Sequence, residues 1–271
     1  HTHTHTRCAE HASWQMLAED GAEARFDRIR DIVAARPDAI VIDVGAGAGV
    51  YSLLAAAAGA TVHAFEPDPA LAAELRDNIA ANAPLAGSVT VWETCVPMIP
   101  RHAAIDTPPS LSPPHTHTHT PPRRCLLRTD GVNATLYGWP GFGVSSTSGA
   151  SFRRVYSVPE RHVPCTSLPA FVRATGLDVS RIVLTILDAN GVEPQLVSGI
   201  LTYLSRAPLL LSTAQRTWEV LPTRRSQAAV LLSVLSVYPV LRNATDVPLP
   251  RTDLTPALFD APRVTLFATY E

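Results

Sequence analysis

The stretch "IDVGAGAGVYS", Ile42 to Ser52, places three glycines within five positions directly after a run of strand-forming residues. Because glycine has no side chain, the backbone can turn sharply there, and a ligand can approach the backbone closely. The helix that follows would point its positive end at the same loop. This stretch predicts a strand–loop–helix unit, and it constrains the fold more than any other part of the chain.

The alternation of strands and helices continues through most of the sequence. Apolar runs such as "AIVIDV", "TVHAFE", "SVTVWETCV", "RIVLTILDA" and "APLLLSTAQ" predict strands, several of them apolar on both faces. Helices are predicted between them, for example at "GVYSLLAAAAGA", "PALAAELRDNIAANA", "SLPAFVRATG", "PQLVSGILTYLSR" and "SQAAVLLSVLSVY". The pattern predicts an α/β fold with a doubly wound, mostly parallel sheet of the seven-stranded, Rossmann-like type and helices on both faces.

The chain divides into a tail and one main domain. Residues 1–36 are predicted to be a low-complexity tail followed by an amphipathic helix, and residues 37–271 form the main domain. Residues 97–124 are so rich in proline that they predict a disordered surface insertion. After the insertion, "ATLYGW" and "RRVYSV" are expected to pair as antiparallel strands, with His162 on a nearby loop. The motif "HTHTHT" occurs in the tail and in the insertion, where a translated dinucleotide repeat explains it better than a metal site, so no metal is predicted.

Composition narrows the possible partners and the compartment. The net charge of −2, with 17% charged residues, gives no electrostatic footprint for nucleic acid or acidic lipid. The longest apolar run, Ala228 to Leu241, is too short to span a bilayer and is interpreted as a buried helix. The four scattered cysteines are expected to be isolated thiols. The chain does not begin with methionine, so a signal or anchor could precede it; the cytoplasm is favoured, and the oligomeric state is left open.

An acidic residue follows the glycine loop at an informative distance. Glu66 comes 21 positions after Gly45, at the end of the second predicted strand, where a carboxylate can accept the hydroxyl hydrogens of a ribose. The loop reads GxGxG rather than the GxGxxG of dinucleotide sites, and Asp43 would repel a pyrophosphate but attract a sulfonium. The motif resembles motif I of class I S-adenosylmethionine-dependent methyltransferases, with an NAD(P)-dependent oxidoreductase as the competing interpretation.

Two ordered motifs extend this resemblance. The stretch from Val41 to Asn82, with "DVGAGAG", "YS" and "FEPDP", resembles the opening of FkbM-type methyltransferases. About 140 positions later, "LTILDANGVEPQLVSGI" is similar to a second FkbM signature of the form K-x-D-V-E-G-x-E. The resemblance covers most of residues 40–212. It implies that the main domain is an O-methyltransferase domain whose acceptor is a hydroxyl on a sugar, a glycolipid or a secondary metabolite.

The resemblance assigns roles to particular residues. S-adenosylmethionine is the expected cofactor, and the residues expected to bind it are Asp43, Gly45, Ala46, Gly47, Gly49, Glu66, Pro67 and Asp68. Asp188 is the candidate acid that orients or deprotonates the acceptor, with capping of the next turn as an equally weighted alternative. Glu193 is the second catalytic candidate, although an acid at a helix start is also stabilised by the helix dipole.

The second motif departs from the family pattern. Thr185 stands where the family has lysine, Ala189 to Gly191 replace "VEG", and Ser212 occupies a position where the family commonly has an acid. These departures affect the acceptor side rather than the cofactor side. A non-catalytic relative that binds S-adenosylmethionine is therefore the main alternative.

Overall fold

In a computed structural model, the residues described are 21–85, 88–96, 133–137, 160–189, 193–194, 196–197, 207–214, 224–260 and 263–270. Their strands are β1 Ile40–Val44, β2 Thr61–Phe65, β3 Val89–Trp92, β4 Asn133–Tyr137, β5 Glu160–Pro164, β6 Ile182–Leu187, β7 Leu209–Ala214, β8 Val240–Arg242 and β9 Arg263–Thr269. Their α-helices are α1 Ala22–Ala34, α2 Val50–Ala57, α3 Pro69–Ala81, α4 Leu168–Thr175 and α5 Arg224–Leu235. Short 3-10 helices lie at Ala83–Leu85, Val179–Arg181, Arg251–Asp253 and Pro256–Asp260.

The sheet has the strand order β3-β2-β1-β6-β7-β9-β8. The first five strands in this order are mutually parallel, and β9 runs antiparallel to both β7 and β8. The chain moves outward from β1 to β3 and then returns to β6 on the other side of β1. This reversal is a topological switch point, and in open α/β sheets it is where ligands bind. The predicted fold class, a Rossmann-like methyltransferase-type sheet with helices, is confirmed.

Alternate residues of the central strands build two separate cores, one on each face of the sheet. On one face, Ile40, Ile42 and Val44 pack in a cluster that also contains residues of α4 and α5. On the other face, Val41 packs in a cluster that also contains residues of α1, α2 and α3. Successive side chains of a strand point to opposite faces, so a continuous apolar strand requires helices on both sides.

Local signals at the helix ends match the structure. Asp68 is the N-cap of α3 and accepts a hydrogen bond from the Ala70 N–H at 2.9 Å, with Pro69 in the first turn. Gly176 ends α4 in the left-handed conformation, with φ of 66°. These signals are local, which explains why the sequence predicts both helices within a few residues.

Three predictions about strands need correction. The partner of β4 is β5, at Glu160–Pro164, rather than the earlier "RRVYSV" stretch, which lies outside the described residues. His162 therefore lies on a strand and not on a loop. In the apolar run that ends at Leu241, the helix α5 stops at Leu235 and the short strand β8 follows. The run splits because Pro239 cannot continue a helix.

Cys95 and Cys165 form a disulfide, so the prediction of isolated thiols is wrong for this pair. Their Cα atoms are 4.4 Å apart although 70 positions separate them in sequence, and that proximity is a tertiary feature. None of the helices in the described ranges is both long and apolar enough to span a membrane.

Several predictions fall outside the described residues. They concern the tail with the start of its helix, the insertion at 97–124, both His-Thr repeats, Asn190, Gly191 and most of the helix after Glu193. The division into residues 1–36 and 37–271 also stays a prediction.

Candidate active site

The carboxyl ends of three neighbouring strands bring the candidate residues to one level. Val44 of β1 pairs in register with Phe65 of β2 and with Leu187 of β6. The residues that follow these three are Gly45, Glu66 and Asp188, so they lie side by side at the edge of the sheet. These residues lie up to 143 positions apart in the sequence, and they meet at the switch point of the sheet.

The glycines of the loop serve different purposes. Gly45 has φ of 85°, and a Cβ atom there would lie 2.0 Å from the backbone oxygen of Asp188. A Cβ atom on Gly49 would lie 2.1 Å from Leu75 Cδ1. At Gly47, with φ of 55°, a Cβ atom would meet nothing within 4 Å. The first and last glycines thus allow close packing within the protein, whereas Gly47 borders open space where a ligand can approach.

The N–H groups of the loop donate within the protein. Those of Gly45 and Ala46 both bond the Phe65 carbonyl oxygen, at 2.9 and 3.1 Å. The Gly47 N–H bonds a carboxylate oxygen of Glu66 at 2.8 Å, and the Gly49 N–H bonds the Ala46 carbonyl at 2.9 Å. A phosphate cradle needs such N–H groups to point at the anion. This loop directs four of them elsewhere.

Glu66 is a buried carboxylate held by two uncharged donors. It is 4% exposed, and its oxygens accept the N–H groups of Gly47 and Asp68, each at 2.8 Å. Burial raises the pKa of Glu66 to about 7, and these two hydrogen bonds oppose the shift only in part. A carboxylate has about four lone-pair directions, so Glu66 retains acceptor capacity for further donors.

Asp43 is a second buried carboxylate, and its donor among the described residues is uncharged. It is 1% exposed, and its carboxylate accepts a hydrogen bond of 2.6 Å from the Ser52 hydroxyl on α2. Burial raises the pKa of Asp43 to about 7; the Ser52 hydrogen bond lowers it, and the negative charge of Asp188 adds to the rise. The negative charges of Asp68 and Asp43 also contribute to the raised pKa of Glu66, so Asp43, Glu66 and Asp188 belong to one electrostatic group with Asp68.

Asp188 differs from the other two because its partner is charged. Arg263, the first residue of β9, donates from Nη1 to Asp188 Oδ2 at 3.1 Å and to Ser212 Oγ at 3.0 Å. The side chain of Asp188 is 15% exposed and that of Arg263 is 33% exposed. Sequence reasoning missed Arg263, since its position at this edge requires an antiparallel last strand. The sequence signal that could have identified Arg263 is that it is a single arginine at the start of an apolar final strand.

Asp68 and Glu193, two of the remaining predicted residues, form bonds to other parts of the protein. Asp68 is fully buried, caps α3 and forms a two-pronged ion pair with Arg161 of β5 at 3.0 and 3.3 Å. Pro67, beside it, is partly exposed. Glu193 is fully buried, and its Oε1 accepts the N–H of Ala189 at 3.2 Å. Asp68 therefore anchors the β4–β5 pair, and Glu193 bonds the backbone of the residue that follows Asp188.

Among the described residues, no group of three histidine, cysteine, aspartate or glutamate side chains is arranged to hold a metal ion. The geometry instead places Glu66 against Gly47, where a Cβ atom would meet nothing within 4 Å, and brings Asp43 and Asp188 to the same edge of the sheet. In open α/β sheets a crevice lies outside the strand ends at the switch point, and we name that position the cleft.

Comparison with known proteins gives similarity at the level of fold. No protein-family model and no curated protein matches the sequence. Among solved structures, a ribosomal RNA methylase from Streptococcus thermophilus shares 12% identity, covers 89% of this chain and 94% of its own, and has a TM-score of 0.39. A putative O-methyltransferase from Klebsiella pneumoniae shares 12% identity over 99% of this chain and 100% of its own, with a TM-score of 0.41. Geranyl diphosphate C-methyltransferase from Streptomyces coelicolor shares 12% identity over 91% and 77%, with a TM-score of 0.40. At these values the similarity carries no argument about activity.

Proposed function

We propose that this protein is an S-adenosylmethionine-dependent methyltransferase that transfers the methyl group to a hydroxyl of a sugar, glycolipid or secondary metabolite. The main support is the group of three acids beside an open glycine position at the switch point of the sheet. Asp43, Glu66 and Asp188 together favour a ligand that brings positive charge and hydroxyl donors. S-adenosylmethionine brings both, with a sulfonium, an amino group and a ribose.

The same geometry disfavours a dinucleotide. A pyrophosphate carries two negative charges and would enter a cleft that already contains three carboxylates. It would also find the N–H groups of Gly45, Ala46 and Gly47 engaged with Phe65 and Glu66. The geometry of this site therefore supports an NAD(P)-dependent oxidoreductase less than the sequence alone did.

We assign the cofactor residues according to their surroundings. Glu66 receives the ribose hydroxyls through its remaining lone pairs, and Gly47 gives the backbone the space for the ligand to approach. Asp43 faces the positive charge of the methionine portion. Asp68 acts indirectly, since its carboxylate caps α3 and pairs with Arg161, and Pro67 borders the adenine side.

The acceptor is proposed to lie at Asp188. When bound, S-adenosylmethionine supplies a methyl group on a positively charged sulfur, and transfer requires the acceptor oxygen to lie in line with it. Asp188 orients the acceptor hydroxyl and takes its proton, acting as a general base. Glu193 accepts the Ala189 N–H and so holds the backbone next to Asp188. We also propose that this protein is a member of the FkbM group and that it has no nucleic-acid partner.

Isothermal titration calorimetry tests the cofactor assignment. We expect S-adenosylmethionine to bind the wild-type protein and NAD⁺ to give no heat of binding. Glu66→Ala is expected to lower the affinity at least about tenfold, because it removes the ribose acceptor. The control variant is Asp38→Asn, an exposed acid just before β1, at the opposite edge of the sheet, which should bind normally.

A methyl-release assay with labelled S-adenosylmethionine over a panel of hydroxylated acceptors tests the reaction. Transfer that is lost in Asp188→Asn, with cofactor affinity kept, is the expected result. Binding without transfer to any acceptor would favour the non-catalytic alternative, and binding of NAD⁺ instead would contradict the proposal as a whole.

A further inference from the structure

Arg263 connects three strands at the acceptor side of the cleft. One guanidinium nitrogen, Nη1, lies 3.1 Å from Asp188 Oδ2 at the end of β6 and 3.0 Å from Ser212 Oγ on β7. Arg263 reaches this edge because β9 runs antiparallel, and its first residue lies where the parallel strands end. The contact therefore joins groups that are 75 and 51 positions apart in sequence.

The cluster of Arg263, Asp188 and Ser212 contains one cation, one anion and one neutral group. Ser212 is neutral and fully buried, so at this nitrogen the guanidinium has Asp188 as its anionic neighbour. Asp43 of β1 is close enough to Asp188 for the two negative charges to repel each other. Glu193 is fully buried and accepts the backbone N–H of Ala189. Asp188 is thus between a repelling carboxylate on one side and an attracting guanidinium on the other.

Both members of the ion pair are partly exposed. Asp188 is 15% exposed and Arg263 is 33% exposed, unlike the buried Asp43 and Glu66. A charge-assisted hydrogen bond fixes the direction in which a carboxylate points. An acid that takes a proton must lie within hydrogen-bond reach of the hydroxyl that loses it.

We propose that Arg263 is a positioning residue for methyl transfer: it holds the Asp188 carboxylate oriented toward the acceptor, and Ser212 fixes the direction of its guanidinium. This inference rests on the proposed function, because it assumes that Asp188 serves the acceptor. Arg263 acts through Asp188 and is not itself assigned a contact with the reacting atoms.

The test is steady-state kinetics with an active acceptor found in the methyl-release assay. We expect Arg263→Ala to lower kcat about tenfold and to change KM less than about twofold, because Asp188 is then no longer held toward the acceptor. Arg263→Lys should restore most of kcat, because a charged donor returns. Ser212→Ala should lower kcat by a smaller factor, because the guanidinium then loses one of these two contacts.

Arg242→Ala is the matched control. Arg242 is also a partly exposed arginine of the antiparallel strands, 27% exposed, and its ion pair is with Asp246, away from the cleft. Its loss should leave kcat unchanged. A kcat that is identical in wild type and Arg263→Ala would overturn the inference. If Arg263→Ala does not fold, Arg263→Lys and Ser212→Ala still decide the question, because a purely structural role predicts a loss of folded protein and no selective change in kcat.

Calorimetry and kinetics separate this inference from the proposed function. Arg263→Ala should bind S-adenosylmethionine within about twofold of wild type, because its contacts are on the acceptor side. A wild-type protein that fails to bind S-adenosylmethionine would refute the proposed function, whereas an active wild type whose kcat does not depend on Arg263 would refute only this inference.

Discussion

The two sides of the proposed site hold their acids in different ways. On the proposed cofactor side, Asp43 and Glu66 are buried, and among the described residues their donors are a hydroxyl and backbone N–H groups, none of which carries a charge. On the proposed acceptor side, Asp188 is partly exposed and is paired with Arg263. Buried carboxylates with uncharged donors cost stability unless a cation arrives, whereas an ion pair already contains its cation. The comparison favours the side of Asp43 and Glu66 as the place for a positively charged ligand.

The largest expected effect concerns the loop on the cofactor side. Gly45→Ala should lower the free energy of unfolding by at least about 4 kcal/mol, since its Cβ would overlap a backbone atom that cannot move aside and its φ is positive. Gly47→Ala is the matched control, with the same added atom and a positive φ but open space around it, and should cost about 1 kcal/mol. Chemical denaturation measures both. Equal losses of stability in the two variants would contradict the difference in packing between Gly45 and Gly47.

The next effect tests the uncompensated charge. The pKa of Asp43 rises from 3.8 to about 7 in the folded protein, so the folded state loses stability as the pH increases between these values. Asp43→Asn removes this penalty while keeping an acceptor for Ser52. It should therefore stabilise the ligand-free protein by about 3 kcal/mol at pH 8 and by little at pH 4, while it weakens cofactor binding. Thermal unfolding across this pH range provides the measurement, and a gain independent of pH would contradict the explanation.

Cofactor affinity should depend on pH through the same acids. A ligand that needs a carboxylate with pKa of about 7 in its charged form binds more tightly as the pH rises. S-adenosylmethionine should bind roughly tenfold more tightly at pH 8 than at pH 6 for one such group. S-adenosylhomocysteine, which lacks the sulfonium charge, should show a weaker dependence. Identical pH dependence for the two ligands would remove Asp43 from the sulfonium site.

The smallest effect is on the acceptor side. Asp188→Asn should destabilise the ligand-free protein by about 1 kcal/mol at pH 7, because the ion pair with Arg263 is partly exposed and screened. The expected change in stability is opposite in sign to that of Asp43→Asn, so the two variants together test the difference between the two sides most directly. The difference should shrink in about 0.5 M salt, whereas the effect at the buried Asp43 should not. Stabilisation by Asp188→Asn would mean that both sides carry unbalanced charge.

The sequence predicted the cofactor side more completely than the acceptor side. Asp43, the glycine loop and Glu66 come from one continuous strand–loop–helix–strand stretch, so their spacing alone implies that they meet. The acceptor side combines Asp188 with Ser212 and Arg263 from strands far apart in the chain. No local pattern states that the last strand is antiparallel, and without that fact Arg263 cannot be located at the cleft.

Sequence by itself determined the kinds of element and the position of the glycine turn, because hydrophobic period, caps and backbone freedom are properties of neighbouring residues. It also determined that Glu66 would end the strand beside that turn. Only the tertiary structure decided that the loop N–H groups bond within the protein, that Cys95 meets Cys165, and that Arg263 neutralises Asp188. Those outcomes depend on strand direction and on distances between remote segments, which are fixed when the sheet assembles.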